Sequence, residues 1–218
     1  MQRGSLGAAA KRGFDFLLSS FGLLLSLPLW VVVPLAIKVE DGGPVLFVQE
    51  RWGRFGRGVR VYKFRTMIQD AERIYGSLQA TADDPRITRV GKILRATALD
   101  ELPQLLNIWL GEMSFVGPRA LPKNEIQRRE RDAGIEDSAI SGFDVRLAVR
   151  PGLTGLAQVY APRDVPRRHK FRYDRLYIRR QSFCLDLRLV LLSVWITLRG
   201  GWERRGHRPG GVVTNRQG

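Results

Sequence analysis

Between Phe16 and Ile37 the chain carries no charged residue and reads as a long apolar run. Wound as a helix at ~1.5 Å per residue, such a run is long enough to cross a hydrocarbon core. Three arrangements compete for it. A secretory signal would have a shorter apolar core and a small-residue cleavage site; here the run passes directly into Lys38-Val39-Glu40-Asp41. The others are a Pro-kinked helix that spans the membrane and a re-entrant hairpin that returns to the face it entered. Pro28, in the middle of the run, removes a backbone donor and kinks a helix. Ser26 beside it can satisfy a freed carbonyl. Arg3, Lys11 and Arg12 precede the run, and Lys38, Arg51, Arg54, Arg57 and Arg60 follow it. Positive charge on both flanks favours a hairpin with both ends on the cytoplasmic side, without excluding the kinked span.

Beyond this segment the pattern is that of a small mixed domain. Asp41-Gly42-Gly43-Pro44 is a turn. Val45–Val48 and Val59–Lys63 read as short strands, and the Gly- and Arg-rich stretch Trp52–Gly58 as their hairpin loop. Helical patterns follow at 68–78, 90–95 (a short helix or turn) and 102–109, where Leu102, Leu105, Leu106 and Trp109 share a side. Ser114–Pro118 is extended and ends in a turn. Residues 125–132 suggest a charged, exposed helix, 150–155 a loop, and 171–180 a very basic helix. The apolar stretch 186–198 is too short to span; it suits a buried or interfacial helix, with Trp195 fit for a headgroup boundary or Leu187–Leu198 for a homodimer contact. The expected fold class is α+β, mainly helical, with a bent membrane segment and a short β-hairpin. Residues 1–40 form the basic and membrane segment, 41–199 the main folded domain and 200–218 a basic flexible tail.

Charge sharpens the reading. The 218 residues hold 36 Lys+Arg against 21 Asp+Glu, a formal net charge of +15. Such a surplus favours nucleic acid, an anionic membrane or a phosphorylated substrate. The single cysteine, Cys184, precludes an intramolecular disulfide and reads as a small core residue. The two histidines, His169 and His207, have no Cys or His neighbour at ligand spacing, which argues against zinc.

The candidate chemistry centres on Asp100-Glu101, which stand just before Pro103 and therefore at a helix start. Acids there can simply complement the helix dipole. Their company suggests more: Lys63, Arg65, Arg95 and Arg119 lie in motif-like segments, and acids among cations and helix N-termini suit phosphate handling. One carboxylate could attack phosphorus, and its neighbour could hold a hard cation such as Mg²⁺ against phosphate oxygens.

These segments, taken in order, resemble the bacterial sugar transferase family, the monotopic phosphoglycosyl transferases that start glycan assembly on polyprenyl phosphate. The resemblance runs from about Lys11 to Arg199. It rests on Lys11-Arg12-Gly13-Phe14-Asp15, Gly43-Pro44-Val45-Leu46-Phe47, Lys63-Phe64-Arg65-Thr66-Met67, Leu94-Arg95, Leu99-Asp100-Glu101-Leu102-Pro103-Gln104, Val116-Gly117-Pro118-Arg119 and Arg150-Pro151-Gly152-Leu153-Thr154-Gly155. It implies a bacterial inner-membrane protein with a re-entrant membrane helix hairpin, a small cytoplasmic catalytic domain over residues 41–199 that carries interfacial amphipathic helices, and a Mg²⁺-dependent ping-pong reaction. Asp100 matches the nucleophile that attacks the β-phosphorus of a UDP-sugar and expels UMP. Polyprenyl (undecaprenyl) phosphate then takes the phosphosugar from Asp100. Glu101 matches the Mg²⁺-binding acid, Arg95 and Arg119 match residues that engage phosphate or nucleotide, and Lys63 and Arg65 belong to the basic substrate-binding segment.

Two departures stand out. The Ser-Pro of the membrane bend reads here Ser26-Leu27-Pro28, and the usual Pro-Arg-Pro reads Pro118-Arg119-Ala120, with the second proline at Pro122. The resemblance leads to the expectation of a minimal family form, without the multi-helix N-terminal domain of some relatives. The reading from a different class is a basic, membrane-tethered binder of anionic lipid or nucleic acid. No helix-turn-helix, zinc module or aromatic-basic RNA-reading segment supports nucleic acid.

Overall fold

The computed structural model describes residues 5–71, 74, 84–123, 137–161 and 165–199. The apolar run folds as two helices, α1 (Ser5–Leu25) and α2 (Leu29–Asp41), with 61° between them. Pro28 has no N–H to offer the Leu24 carbonyl, which accepts from Leu27 N at 3.3 Å instead. Ser26 Oγ donates to Leu23 O and accepts from the Trp30 indole, each at 3.1 Å. The bend is therefore internally hydrogen-bonded, as it must be wherever water is scarce. Among the described residues no single helix is long and apolar enough to cross a membrane; this bent pair is, taken together. Leu17, Phe21, Leu24, Val31 and Leu35 each lie more than half exposed along it.

The opposite face of α1 packs on helix α4 (Gln104–Leu110). Arg12 donates to Ile108 O at 2.6 Å and Trp109 O at 2.5 Å, satisfying carbonyls at the negative end of that helix. Buried Asp15 accepts from Phe115 N at 3.0 Å and Ser114 Oγ at 3.1 Å, and Lys11 meets Asp186 at 2.7 Å. The N-terminal helix is thus pinned to the rest of the chain by three polar residues.

Strands β1 (Leu46–Trp52) and β2 (Gly58–Phe64) form an antiparallel hairpin in register from Leu46↔Phe64 to Trp52↔Gly58. β1 therefore runs four residues past Val48, and the connecting loop shrinks to 53–57. The chain is helical at Ala71 and Ile74; the rest of the expected 68–78 helix lies outside the described residues. Helix α3 (Arg89–Ala96) is capped by Thr88 Oγ1, which accepts from Gly91 N at 2.9 Å. Gly91 lets α3 press on the chain leaving β2: a Cβ there would meet Thr66 O at 2.1 Å.

After α4, β3 (Ser114–Val116) pairs in parallel with β4 (Gly152–Thr154). This corrects the loop expected at 150–155: the Gly-Leu-Thr core of that segment is a buried strand. Glycine is required there, because a Cβ on Gly152 would lie 2.1 Å from Gly117 N. Helices α5 (Phe143–Leu147), α6 (Leu156–Tyr160), α7 (Arg167–Arg180) and α8 (Phe183–Leu198) complete the described chain. The charged helix expected at 125–132 and the tail from 200 fall outside the described residues.

Among the described residues the architecture is mainly helical α+β with two small sheets. Its main core gathers Val61, Ile108, Met113, Val116, Tyr177, Leu189 and Ile196; a second cluster of Val33, Ile37, Phe64 and Leu94 joins α2 to β2 and α3. α8 buries Asp186, Leu189 and Ile196 and leaves Leu187, Leu191, Trp195 and Leu198 exposed. Cys184 is exposed on this helix, not part of the core as its apolar neighbours suggested.

Candidate active site

The acid pair sits where α3 hands over to α4. α3 stops at Ala96, and Ala98 turns the chain with φ 56° and ψ 16°, a left-handed conformation unusual for a residue with a Cβ. A single 3₁₀ turn, Leu99–Glu101, follows, and Pro103 starts α4. The sequence expectation of acids at a helix start therefore holds, with a reversal that no glycine signalled.

Three elements bring cations to this turn. Lys63, near the end of β2, donates to Glu101 Oε1 at 2.6 Å and lies 3.7 Å from Asp100 Oδ2. Arg119, just after β3, donates to the same Glu101 oxygen at 2.9 Å. Arg95, in the last turn of α3, acts on Asp100 electrostatically. The side chains of Lys63, Asp100 and Glu101 are only 14–19% exposed, whereas Arg119 is 45% exposed. A small, half-sheltered cluster thus carries two carboxylates and three cations, open on the Arg119 side.

The acids differ in character. Burial pushes both carboxyls up. At Glu101 the charges of Lys63 and Arg119, with the hydrogen bonds they donate, overcome burial and hold the group well below the usual carboxylate range. At Asp100 burial wins: Lys63, Arg95 and Arg119 pull its pKa down, the adjacent Glu101 charge adds to the rise, and the net direction is upward. The pair therefore comprises one firmly ionised, doubly bonded carboxylate and one poorly solvated, more basic neighbour.

Arg65 is drawn elsewhere. It is 8% exposed and grips both carboxylate oxygens of Asp41 at the end of α2, while its Nε donates to Pro44 O at 2.5 Å. Ser26 and Pro28 form the helix break described above, on α1 and α2. Residues the sequence did not single out also frame the site. Glu40 accepts from Arg89 N at 2.7 Å and Val90 N at 3.1 Å, fastening the end of α2 to the start of α3. Asp15, Arg51, Arg146 and Asp174 hold β3 and the turn after it. Only Asp15 stood within a motif; for the others, no local spacing carried a signal.

Among the described residues no cluster of three or more His, Cys, Asp or Glu could cage a metal. Mg²⁺ needs less, since it commonly takes one or two carboxylates and completes its shell with water and substrate phosphates. Glu101 Oε1 is engaged by Lys63 and Arg119, and the Glu101 and Asp100 carboxylates both lie in the one turn. Carboxylate oxygens of this kind fit Mg²⁺.

Comparison with known proteins bears on the whole arrangement. The pattern described as bacterial sugar transferase matches residues 6–200. The chain is 42% identical over 189 residues, 84% of its length and 92% of the relative's, to an exopolysaccharide production protein PSS of Rhizobium leguminosarum bv. phaseoli. It is 41% identical over 194 residues to a UDP-glucose:undecaprenyl-phosphate glucose-1-phosphate transferase of Klebsiella pneumoniae, covering 85% of this chain but 39% of that one. Against a UDP-N-acetylgalactosamine-undecaprenyl-phosphate N-acetylgalactosaminephosphotransferase of Aeromonas hydrophila the identity is 38% over 196 residues, with 88% and 44% covered. The chain thus spans nearly all of one relative and about two fifths of the two larger ones. The match takes in the bent helix pair, the acid turn and the segments that carry Lys63, Arg95 and Arg119 to it, and on that ground the chain belongs to the bacterial sugar transferase family.

Proposed function

We propose that this protein transfers a sugar 1-phosphate from a UDP-sugar to undecaprenyl phosphate, the step that initiates an exopolysaccharide, capsule or O-antigen. The observation that carries this reading is the acid turn itself: a desolvated Asp100 beside an ionised Glu101, faced by Lys63, Arg95 and Arg119.

Asp100 is the nucleophile. Its carboxylate oxygen forms a bond to the β-phosphorus, and the bond from that phosphorus to the bridging oxygen breaks, so UMP leaves with the bridging oxygen. Burial favours this step, because a poorly hydrated carboxylate gives up little solvation on attack. Lys63 and Arg119 supply fixed positive charge where phosphate oxygens gain negative charge. In the second half, an oxygen of undecaprenyl phosphate bonds to the same phosphorus and Asp100 is released, giving undecaprenyl-diphosphate-sugar. Glu101, held by two cations, is the residue that would hold Mg²⁺ at the diphosphate. Bound Mg²⁺ would neutralise the leaving phosphate.

In this reading the bent pair α1/α2 enters the membrane and returns, anchoring residues 41–199 at the inner face of the plasma membrane. The exposed apolar band on α1 and α2 suits lipid contact. The exposed strip of α8, ending near Trp195, suits the headgroup boundary. The Arg65–Asp41 pair is a structural tie, not a substrate contact.

The test is UMP release from UDP-sugars in the presence of undecaprenyl phosphate and Mg²⁺. The wild-type protein releases UMP with at least one UDP-sugar, and Asp100→Asn releases none. Undiminished release by Asp100→Asn would remove this residue from the nucleophile role.

A further inference from the structure

Arg119 can reach Glu101 only if the turn bearing it is held still. Three consecutive carbonyls of that turn are gripped from three different elements. Gly152 N, on β4, donates to Pro118 O at 2.8 Å. Arg146 Nη2, on α5, donates to Arg119 O at 2.6 Å. Arg51 Nη1, on β1, donates to Ala120 O at 2.9 Å.

Of the three, Arg146 is the most unusual. It is 5% exposed, its Nε donates to Asp174 Oδ2 at 3.1 Å, and its guanidinium lies over the Phe171 ring, 4.5 Å from the centroid. Asp174, on α7, is 3% exposed. A buried ion pair is a poor way to add stability, since apolar residues of similar size often serve as well. What an apolar residue cannot do is aim a donor at a carbonyl. The guanidinium fork bonds a carboxylate on one side and the Arg119 carbonyl on the other, which a point-charge ammonium cannot reproduce. Ala120 also matters. A proline there would fix φ; alanine leaves it free, so the turn needs its constraint from outside.

We propose that Arg146, oriented by Asp174, is a positioning residue that seats Arg119 on Glu101 by holding the Arg119 carbonyl. The inference rests on the assignment of Glu101 and Arg119 to the transferase site.

The test is a double-mutant cycle read as single-turnover UMP release with enzyme in excess, so that slow variants stay measurable. Arg146→Lys keeps the charge opposite Asp174 but loses the fork. It slows release about ten-fold, the scale of one lost charge-assisted hydrogen bond. In an Arg119→Ala background the same substitution changes the rate by less than about two-fold, because Arg146 acts through Arg119. The pair Arg146→Met with Asp174→Leu removes both charges without orphaning either, keeps a cooperative thermal transition, and shows the same loss. Wild-type rates in Arg146→Lys or in the folded double variant would overturn the proposal. So would an equal loss with and without Arg119, which would mark a general packing role. Arg119→Ala at the wild-type rate would instead overturn the site assignment beneath it.

Discussion

Lys63 lies 3.7 Å from Asp100 and 2.6 Å from Glu101, and replacing it isolates what charge does in this site. Lys63→Met keeps the stem that packs at the end of β2 and removes the ammonium. At 3.7 Å from Asp100 Oδ2, and with an effective dielectric of about 20, the gross attraction is roughly 4.5 kcal/mol. The two side chains are 15% and 14% exposed, and Arg95 and Arg119 still act on Asp100, so much of that is lost to solvent and to the remaining cations. A net loss of about 1.5–3 kcal/mol is the range for a hydrogen bond or contact to a charged group. At 1.36 kcal/mol per factor of ten, kcat/KM for UMP release falls by roughly 10- to 150-fold. The acid limb of the pH profile also moves up, because the lost charge favoured ionised Asp100 and the ionised form attacks. The assay is initial-rate UMP release across pH, with thermal unfolding run on the same samples. A folded Lys63→Met enzyme within about two-fold of wild type at every pH would refute the electrostatic account of the turn.

Other substitutions probe neighbouring parts of the argument. Burial raises the pKa of Asp100 in the fold above its unfolded value of 3.8, so ionisation destabilises the native state as pH rises through the folded value. Asp100→Asn is therefore more stable than wild type at neutral pH, and the difference shrinks as pH falls toward 3.8; lower stability than wild type in neutral-pH urea melts would contradict this. Gly91→Ala drives a Cβ to 2.1 Å from Thr66 O and is expected to cost about 1–3 kcal/mol and to slow turnover by shifting Arg95; an unchanged melting temperature would show that α3 does not press on Thr66. Arg65→Met takes the guanidinium from Asp41 and lowers thermal stability, while KM for the UDP-sugar stays put; a KM raised more than about five-fold at unchanged stability would return Arg65 to substrate binding. Cysteines placed at position 2 and in the catalytic domain, each in a Cys184→Ser background, label from the same side of the membrane; labelling from opposite sides would replace the hairpin with a kinked span.

Much of this architecture was readable where local rules act alone. Pro28 marked the break in the apolar run, Pro103 placed Asp100 and Glu101 at a helix start, and two short Val-containing stretches flanking a Gly- and Arg-rich loop marked β1 and β2. What escaped depends on contacts far apart in sequence. Gly152-Leu153-Thr154 looks like a loop by composition and becomes a strand only because Ser114–Val116 lies beside it, separated by more than thirty residues. Ala98 takes a left-handed turn for which glycine would be the local signal; the surrounding packing imposes it. Arg65 shares a motif with Lys63, and the spacing of two would put both on one strand face, but β2 ends at Phe64 and the chain turns away, so Lys63 meets the acids and Arg65 meets Asp41. Arg146 and Asp174 are 28 positions apart and look like ordinary surface charges until α5 and α7 bring them together. Cys184 shows the reverse error, since apolar neighbours in sequence did not make it buried.

The account turns on a covalent bond between phosphorus and one carboxylate. Incubating the protein with a turnover-competent UDP-sugar and Mg²⁺, omitting undecaprenyl phosphate, and quenching rapidly for intact-mass and peptide mass spectrometry looks for that bond directly. The account predicts a mass gain equal to one phosphosugar, on the peptide containing Asp100 and absent from Asp100→Asn. An unmodified protein under conditions where UMP has been released stoichiometrically, or the same mass on a different residue, would contradict it.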